Sequence, residues 1–114
     1  MNETDPNGLK PNEPGAKLDS GKVRPWLMLS DFPRALEEVA MVATKGAAKY
    51  TDHGWETVQN GEERYMEAFG RHTLALARGE RLDDGPNGIG CHHKAQAIWN
   101  LLASLELELR RGAA

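Results

Sequence analysis

The residues best suited to chemistry lie in the last third of the chain. At about 100° per residue, His93, Gln96 and Asn100 fall on one narrow stripe of a helical segment, with Ser104 beside it. The rest of that segment is rich in leucine, and a polar line along an apolar helix is costly unless it meets a ligand or a polar network. His72 falls on the aromatic side of the preceding helical segment, among Tyr65, Phe69 and Leu76, where it can join them. Together the four positions read as a binding or catalytic site. Acidic groups come earlier. Glu37 and Glu38 flank an apolar stripe, and two adjacent carboxylates can help hold Mg2+, a hard ion that keeps waters and substrate phosphates in its other positions. Such a pair is more often a solvated surface feature. Glu67 has Arg71 four residues on, a spacing that predicts an ion pair along a helix.

Several other chemistries are excluded. Gly15-Ala16-Lys17-Leu18-Asp19-Ser20-Gly21-Lys22 has five residues between its glycines, and Val23 stands where a phosphate-binding loop needs Ser or Thr for magnesium. Its basic residues, with Arg24, still form a local excess able to close over a polyanion. His92 and His93 are neighbours, so their side chains diverge by about 100° on a helix. No Cys-x2-Cys or His-x3-His spacing supports structural zinc. No His-Asp dipeptide suggests a metal phosphohydrolase of that type, and nothing around Cys91 resembles a nucleophile elbow.

Three helices must position these groups. The first starts near Ser30 or Asp31 as cap, accepts Pro33 in its first turn, and carries Leu36, Val39, Ala40, Ala43, Ala47 and Tyr50 at helical period. A loop with Trp55 follows. Asn60 then caps the second helix, with Glu63 completing a capping box, and Gly79 ends it. The loop from Arg81 to Gly90 leads to a third helix from about Cys91 to Arg111. That helix is apolar over a wide arc, Ile98, Trp99, Leu101, Leu102, Leu105 and Leu109, and needs partners on two sides. The expectation is an all-α helical bundle completed by oligomerisation. Residues 1–14 carry three prolines and read as a flexible N-terminal arm, leaving 15–114 as the domain. Fourteen basic and seventeen acidic residues give a net charge of −3, which argues against a duplex nucleic-acid partner. No apolar run reaches the roughly 18 residues of a membrane span. With no signal-peptide stretch and a single cysteine, the expected location is the cytoplasm.

Five segments come in a telling order: Gly15-Ala-Lys-Leu-Asp-Ser-Gly-Lys-Val-Arg-Pro25; Glu37-Glu-Val-Ala-Met-Val-Ala-Thr-Lys-Gly-Ala-Ala-Lys-Tyr50 with Trp55; Arg71-His72; Gly79-Glu80 with Asp83; and His93-x2-Gln96-x3-Asn100. The combination resembles the phage-associated dATP/dGTP diphosphohydrolase type of all-α nucleoside-triphosphate pyrophosphohydrolase, a relative of the MazG group, over about residues 15 to 108. The resemblance implies a homodimeric or homotetrameric enzyme using two or three Mg2+ or Mn2+ ions. Its reaction would split a purine deoxynucleoside triphosphate, dGTP before dATP, into monophosphate and pyrophosphate, in a phage 2-aminoadenine or nucleotide-pool pathway. By position it makes Glu37, Glu38, His72 and Asp83 catalytic, and Glu37, Glu38, Glu67 and Asp83 metal ligands. Lys17, Asp19, Lys22, Arg24, Lys49, Tyr50, Trp55, Arg71, His93, Gln96 and Asn100 become substrate contacts. Two departures stand out: Met41 occupies the third acidic position of the MazG pattern, and Gln96 replaces a histidine. The alternative is a non-catalytic helical module that binds nucleotide or a protein partner.

Overall fold

The computed structural model describes residues 3–113. The chain divides into two units, one ending at Asp31 and the other beginning at Phe32. In the first unit Asp5 is buried and its carboxylate accepts backbone N–H bonds from Asn7 at 2.6 Å, Leu9 at 3.5 Å and Lys17 at 2.7 Å. The Lys17 amide above all, with those of Asn7 and Leu9, holds the Asp5 carboxyl below its ordinary range against the opposing effect of burial. The segment expected to be an arm is thus folded back on itself, with Ser20 N–H donating to Thr4 O at 3.0 Å.

Helix α1, Pro25–Asp31, closes this unit and was not expected. It is separate from α2, Pro33–Lys49, because of Pro33. Proline has no N–H to continue a helix and its ring drives the preceding residue out of the helical region; Phe32 sits at φ −124°, ψ 44°. Ser30 and Asp31 therefore finish α1 instead of capping the next helix, and Phe32 takes the N-cap without a side-chain bond.

In the second unit α2 is followed by a single 3-10 turn at Gly54–Thr57, then α3, Gly61–Ala77, and α4, His93–Ala113. Helix α4 packs chiefly along α3 and to a lesser extent on α2. Val39 and Val42 of α2 meet Cys91 and Ala95, with Ile89 and Trp99 against them. The start of α3 differs from expectation. Asn60 adopts the left-handed conformation, φ 54°, and makes no side-chain cap, whereas a capping residue needs extended backbone to turn its side chain onto the first amides. The C-terminus matches: Gly79, φ +86°, reverses the chain, and Glu80 N–H returns to Ala75 O at 3.0 Å.

The described residues contain no strand, only an isolated antiparallel bridge between Leu82 and His92. No described helix is long and apolar enough to cross a membrane. Among the described residues no large side chain is fully buried, while Ile98, Leu101, Leu102, Leu105 and Leu109 on α4 stay 40–58% exposed.

Candidate active site

The polar stripe of α4 is buried throughout: His93, Gln96, Asn100 and Ser104 expose 9%, 6%, 8% and 5% of their surface. Each finds a partner, as burial requires. Ser104 Oγ donates to Glu62 O of α3 at 2.8 Å. Asn100 Nδ2 donates to Gln96 O at 2.8 Å. The Gln96 side-chain amide donates to Asp83 Oδ2 at 3.0 Å and to Cys91 O at 3.4 Å. His93 Nδ1 and His72 Nδ1 share a hydrogen bond of 2.8 Å, one ring donating to the other.

Asp83 reaches this stripe because the connection between α3 and α4 closes like a clasp. Asp83 N–H donates to Cys91 O at 2.9 Å, Gly90 N–H to Asp83 O at 2.8 Å, and His93 N–H to Arg81 O at 3.0 Å. Lys45 of α2 ties the far side through a 3.0 Å bond from Nζ to Ile89 O. Gly88 lies so close that a Cβ there would strike the Asp83 carbonyl oxygen. The outcome is a group of three donors, one atom each from His72, Asp83 and His93, all within 4.8 Å of one another. Burial lowers the His72 pKa, the neighbouring His93 adds to the effect, and Asp83 opposes it. The shift favours the neutral imidazole, the form that accepts a proton or ligates a cation.

Beside this cluster runs a groove of about 1320 Å3, lined by the second half of α2, the connection from Tyr50 to Val58, α3 and α4. Lys49, Tyr50, Trp55, Glu67, Arg71, His72, Gln96 and Asn100 all line it. Trp55 is fixed there: its ring meets those of Tyr65 and Trp99 edge-on at 6.3 Å and 6.2 Å, the Arg110 guanidinium lies 5.2 Å over it, and Tyr65 Oη donates to its carbonyl at 2.8 Å. Burial pushes the Tyr65 phenol pKa up. Tyr50 is 73% exposed, with Lys49 Nζ 5.4 Å from its ring centre. Among the described residues no ion pair joins Glu67 to Arg71, contrary to their helical spacing, so both present their charge along the groove wall.

Other expected residues of the second unit lie outside this groove. Glu38 lines a smaller cavity of about 420 Å3 with Leu76, Glu80, Arg81 and His92, so His92 and His93 do diverge. Glu37 and Glu38 are both exposed. The carboxylate shell of Glu37, Glu38, Glu67 and Asp83 is not gathered by one chain, because among the described residues the single donor group contains Asp83 alone of the four. Lys17, Asp19, Lys22 and Arg24 belong to the first unit, where Lys22 pairs with Glu3 at 3.0 Å. Sequence reasoning passed over three residues that build the site: Gly88, Lys45 and Cys91, which acts through its carbonyl. For Gly88 the signal was the Gly85-Pro86-Asn87-Gly88 turn; the other two carry none.

The family described as dATP/dGTP diphosphohydrolase, N-terminal, matches residues 12–114. A dATP/dGTP diphosphohydrolase of Salmonella phage PMBT28 is 39% identical over 88 residues, covering 77% of this chain and 28% of the phage protein. The chain thus matches just over a quarter of that relative's length. No solved structure matches.

Proposed function

Because this chain belongs to the dATP/dGTP diphosphohydrolase N-terminal family, we propose that it hydrolyses a purine deoxynucleoside triphosphate, dGTP in preference to dATP, to the monophosphate and pyrophosphate. The observation that carries the reading is the groove. It gathers cations, an exposed aromatic ring, a buried amide and an imidazole from four consecutive elements beside a cluster of titratable donors. A triphosphate lying there meets Lys49 and Arg71, which neutralise its oxygens as a point charge and a fork. Tyr50 offers the base a stacking surface that any purine accepts. Asn100 spends a donor on Gln96 O and keeps its carbonyl oxygen for the N–H groups of a purine edge or the sugar. His72, beside Asp83 and His93, belongs to the donor group that would hold a divalent ion next to the triphosphate.

Divalent ions, Mg2+ or Mn2+ and two or three in number, belong to the proposal. The His72, Asp83 and His93 donors, two imidazole nitrogens and a carboxylate, fit one borderline ion such as Mn2+, and Glu67 adds an oxygen ligand of the kind Mg2+ prefers on the groove wall. When bound, such ions polarise the phosphoryl oxygen and lower the pKa of a bound water. A second copy of the chain, in a homodimer or homotetramer, covers the exposed face of α4 in this reading. The setting is the host cytoplasm, in a phage 2-aminoadenine or nucleotide-pool pathway. Incubation with each of the four dNTPs and MgCl2 or MnCl2 tests it, with monophosphate and pyrophosphate followed separately. Release of dGMP with pyrophosphate is expected. Diphosphate with inorganic phosphate would mean a different bond is cut, and no turnover by folded protein would return the chain to a binding module.

A further inference from the structure

We propose that His72, Asp83 and His93 form a resident site for one borderline divalent ion of the Mn2+, Co2+ or Zn2+ class, which binds without nucleotide and discriminates against Mg2+. The two Nδ1 atoms stand 2.8 Å apart. Two nitrogens each about 2.0–2.1 Å from one ion lie about 3.3–3.4 Å apart at a tetrahedral angle and about 2.9 Å apart at the right angle of an octahedral ion. Opposite ligands of such an ion lie about 4.2 Å apart, and every donor atom of the group is already within 4.8 Å of the others. Rotation of His72 and Asp83, both half-buried, closes the difference, while buried His93 stays fixed.

The surroundings are those of a ligand set. Gln96 holds the Asp83 carboxylate at 3.0 Å and is itself anchored on Cys91 O, the kind of outer partner that orients first ligands and is worth roughly 10–100-fold in affinity. Two imidazoles and one carboxylate suit borderline ions, whereas Mg2+ prefers oxygen and gives up its waters reluctantly. His72 also lines the groove, so the remaining coordination positions open towards it, as in catalytic rather than structural metal sites. The competing account is a histidine pair joined by a shared proton, with no affinity for metal.

The inference stands on donor geometry, so a chain that binds the ion and hydrolyses nothing would overturn the proposed function alone. The chelator-stripped full chain is titrated with CoCl2 by visible absorption, and with MnCl2 and MgCl2 by calorimetry, all without nucleotide. One Co2+ per chain, bound at least 100-fold more tightly than Mg2+, is expected. His72→Gln and Asp83→Asn should each weaken Co2+ at least tenfold with the helical circular dichroism unchanged. In the unsubstituted chain, Mn2+ should broaden the ring-proton resonances of His72 and His93 before those of His53 and His92. No cobalt binding, equal affinity for Mg2+, binding that survives both substitutions, or a thiolate-to-cobalt band pointing to Cys91 would each overturn the site.

Discussion

Gly88→Ala is the sharpest probe of how the site is held together. A Cβ at this position would overlap the Asp83 carbonyl oxygen and stand 2.5 Å from Asp83 Oδ1 and 2.8 Å from its carbonyl carbon. Non-bonded atoms settle at roughly 3.5 Å, so Asp83 must retreat by about 1 Å. It cannot retreat freely, because its amide is bonded to Cys91 O at 2.9 Å and its carbonyl to Gly90 N–H at 2.8 Å. Overpacking of this kind costs about 1–3 kcal/mol, and each kcal/mol lowers the melting temperature by about 4–8 °C in a domain of this size. The carboxylate moves with the backbone, so metal affinity should fall at least as far as when an outer partner is lost, about 10–100-fold, or about 1.4–2.7 kcal/mol of binding. Gly85→Ala is the control from the same loop: nothing lies within 4 Å of its added Cβ, and neither glycine has positive φ. Cobalt titration, thermal melting and dGTP turnover of the two variants side by side decide the matter. If Gly88→Ala binds cobalt and turns over dGTP as Gly85→Ala does, Asp83 is not set by this clasp and the site as described is wrong.

Four other outcomes follow from particular contacts. Glu38→Gln should leave cobalt affinity at its original value, since Glu38 lines the smaller cavity; a loss equal to that of Asp83→Asn would bring the acidic pair of α2 into the same shell. Asn100→Ala should raise KM for dGTP with little change in melting temperature, because its one side-chain bond returns to its own helix; an unchanged KM would remove it from substrate recognition. Folded Asp5 titrates below the usual carboxylate value of about 3.9, so its contribution to the first unit is complete above that pH and is lost as pH falls through the lower folded value. The amide resonances of Asn7 and Lys17 should follow that loss, and a midpoint at or above the ordinary value would refute it. Leu102→Glu, at a position 50% exposed, should convert a sedimenting dimer or tetramer to a 12.6 kDa species; a chain that is monomeric to begin with would refute the assembly.

The exposed apolar face of α4 and the thin interior describe one condition. Val39, Val42, Cys91 and four alanines make up the buried apolar core, and small side chains remove little area from water. The larger ones, Ile98, Leu101, Leu102, Leu105 and Leu109, point outward. Helix α4 uses its buried side for polar groups that a leucine-rich helix would ordinarily turn to solvent, which inverts the usual arrangement. A chain that spends its interior on a site must find apolar burial elsewhere, and that is the physical reason to look for a second copy.

What the sequence disclosed divides by range. Residues one helical turn apart report on each other directly, so spacing alone put His93, Gln96, Asn100 and Ser104 on one side and separated His92 from His93. The same logic failed where a nearer rule intervened: Pro33 set the start of the first expected helix and left Ser30 and Asp31 at the end of a separate one, and the left-handed backbone of Asn60 cancelled a capping box that its side chain would otherwise have made. The spacing of Glu67 and Arg71 permitted an ion pair without requiring it, since an exposed pair of that kind is worth only about 0.3–0.5 kcal/mol. The association of Asp83 with the two histidines has a different origin. It depends on a loop folding back so that Leu82 pairs with His92, and on a glycine at position 88 leaving room for the Asp83 carbonyl. Neither requirement has a periodicity to betray it. The donor group is therefore a product of chain closure, and the residue to which it is most sensitive is a glycine that carries no functional group at all.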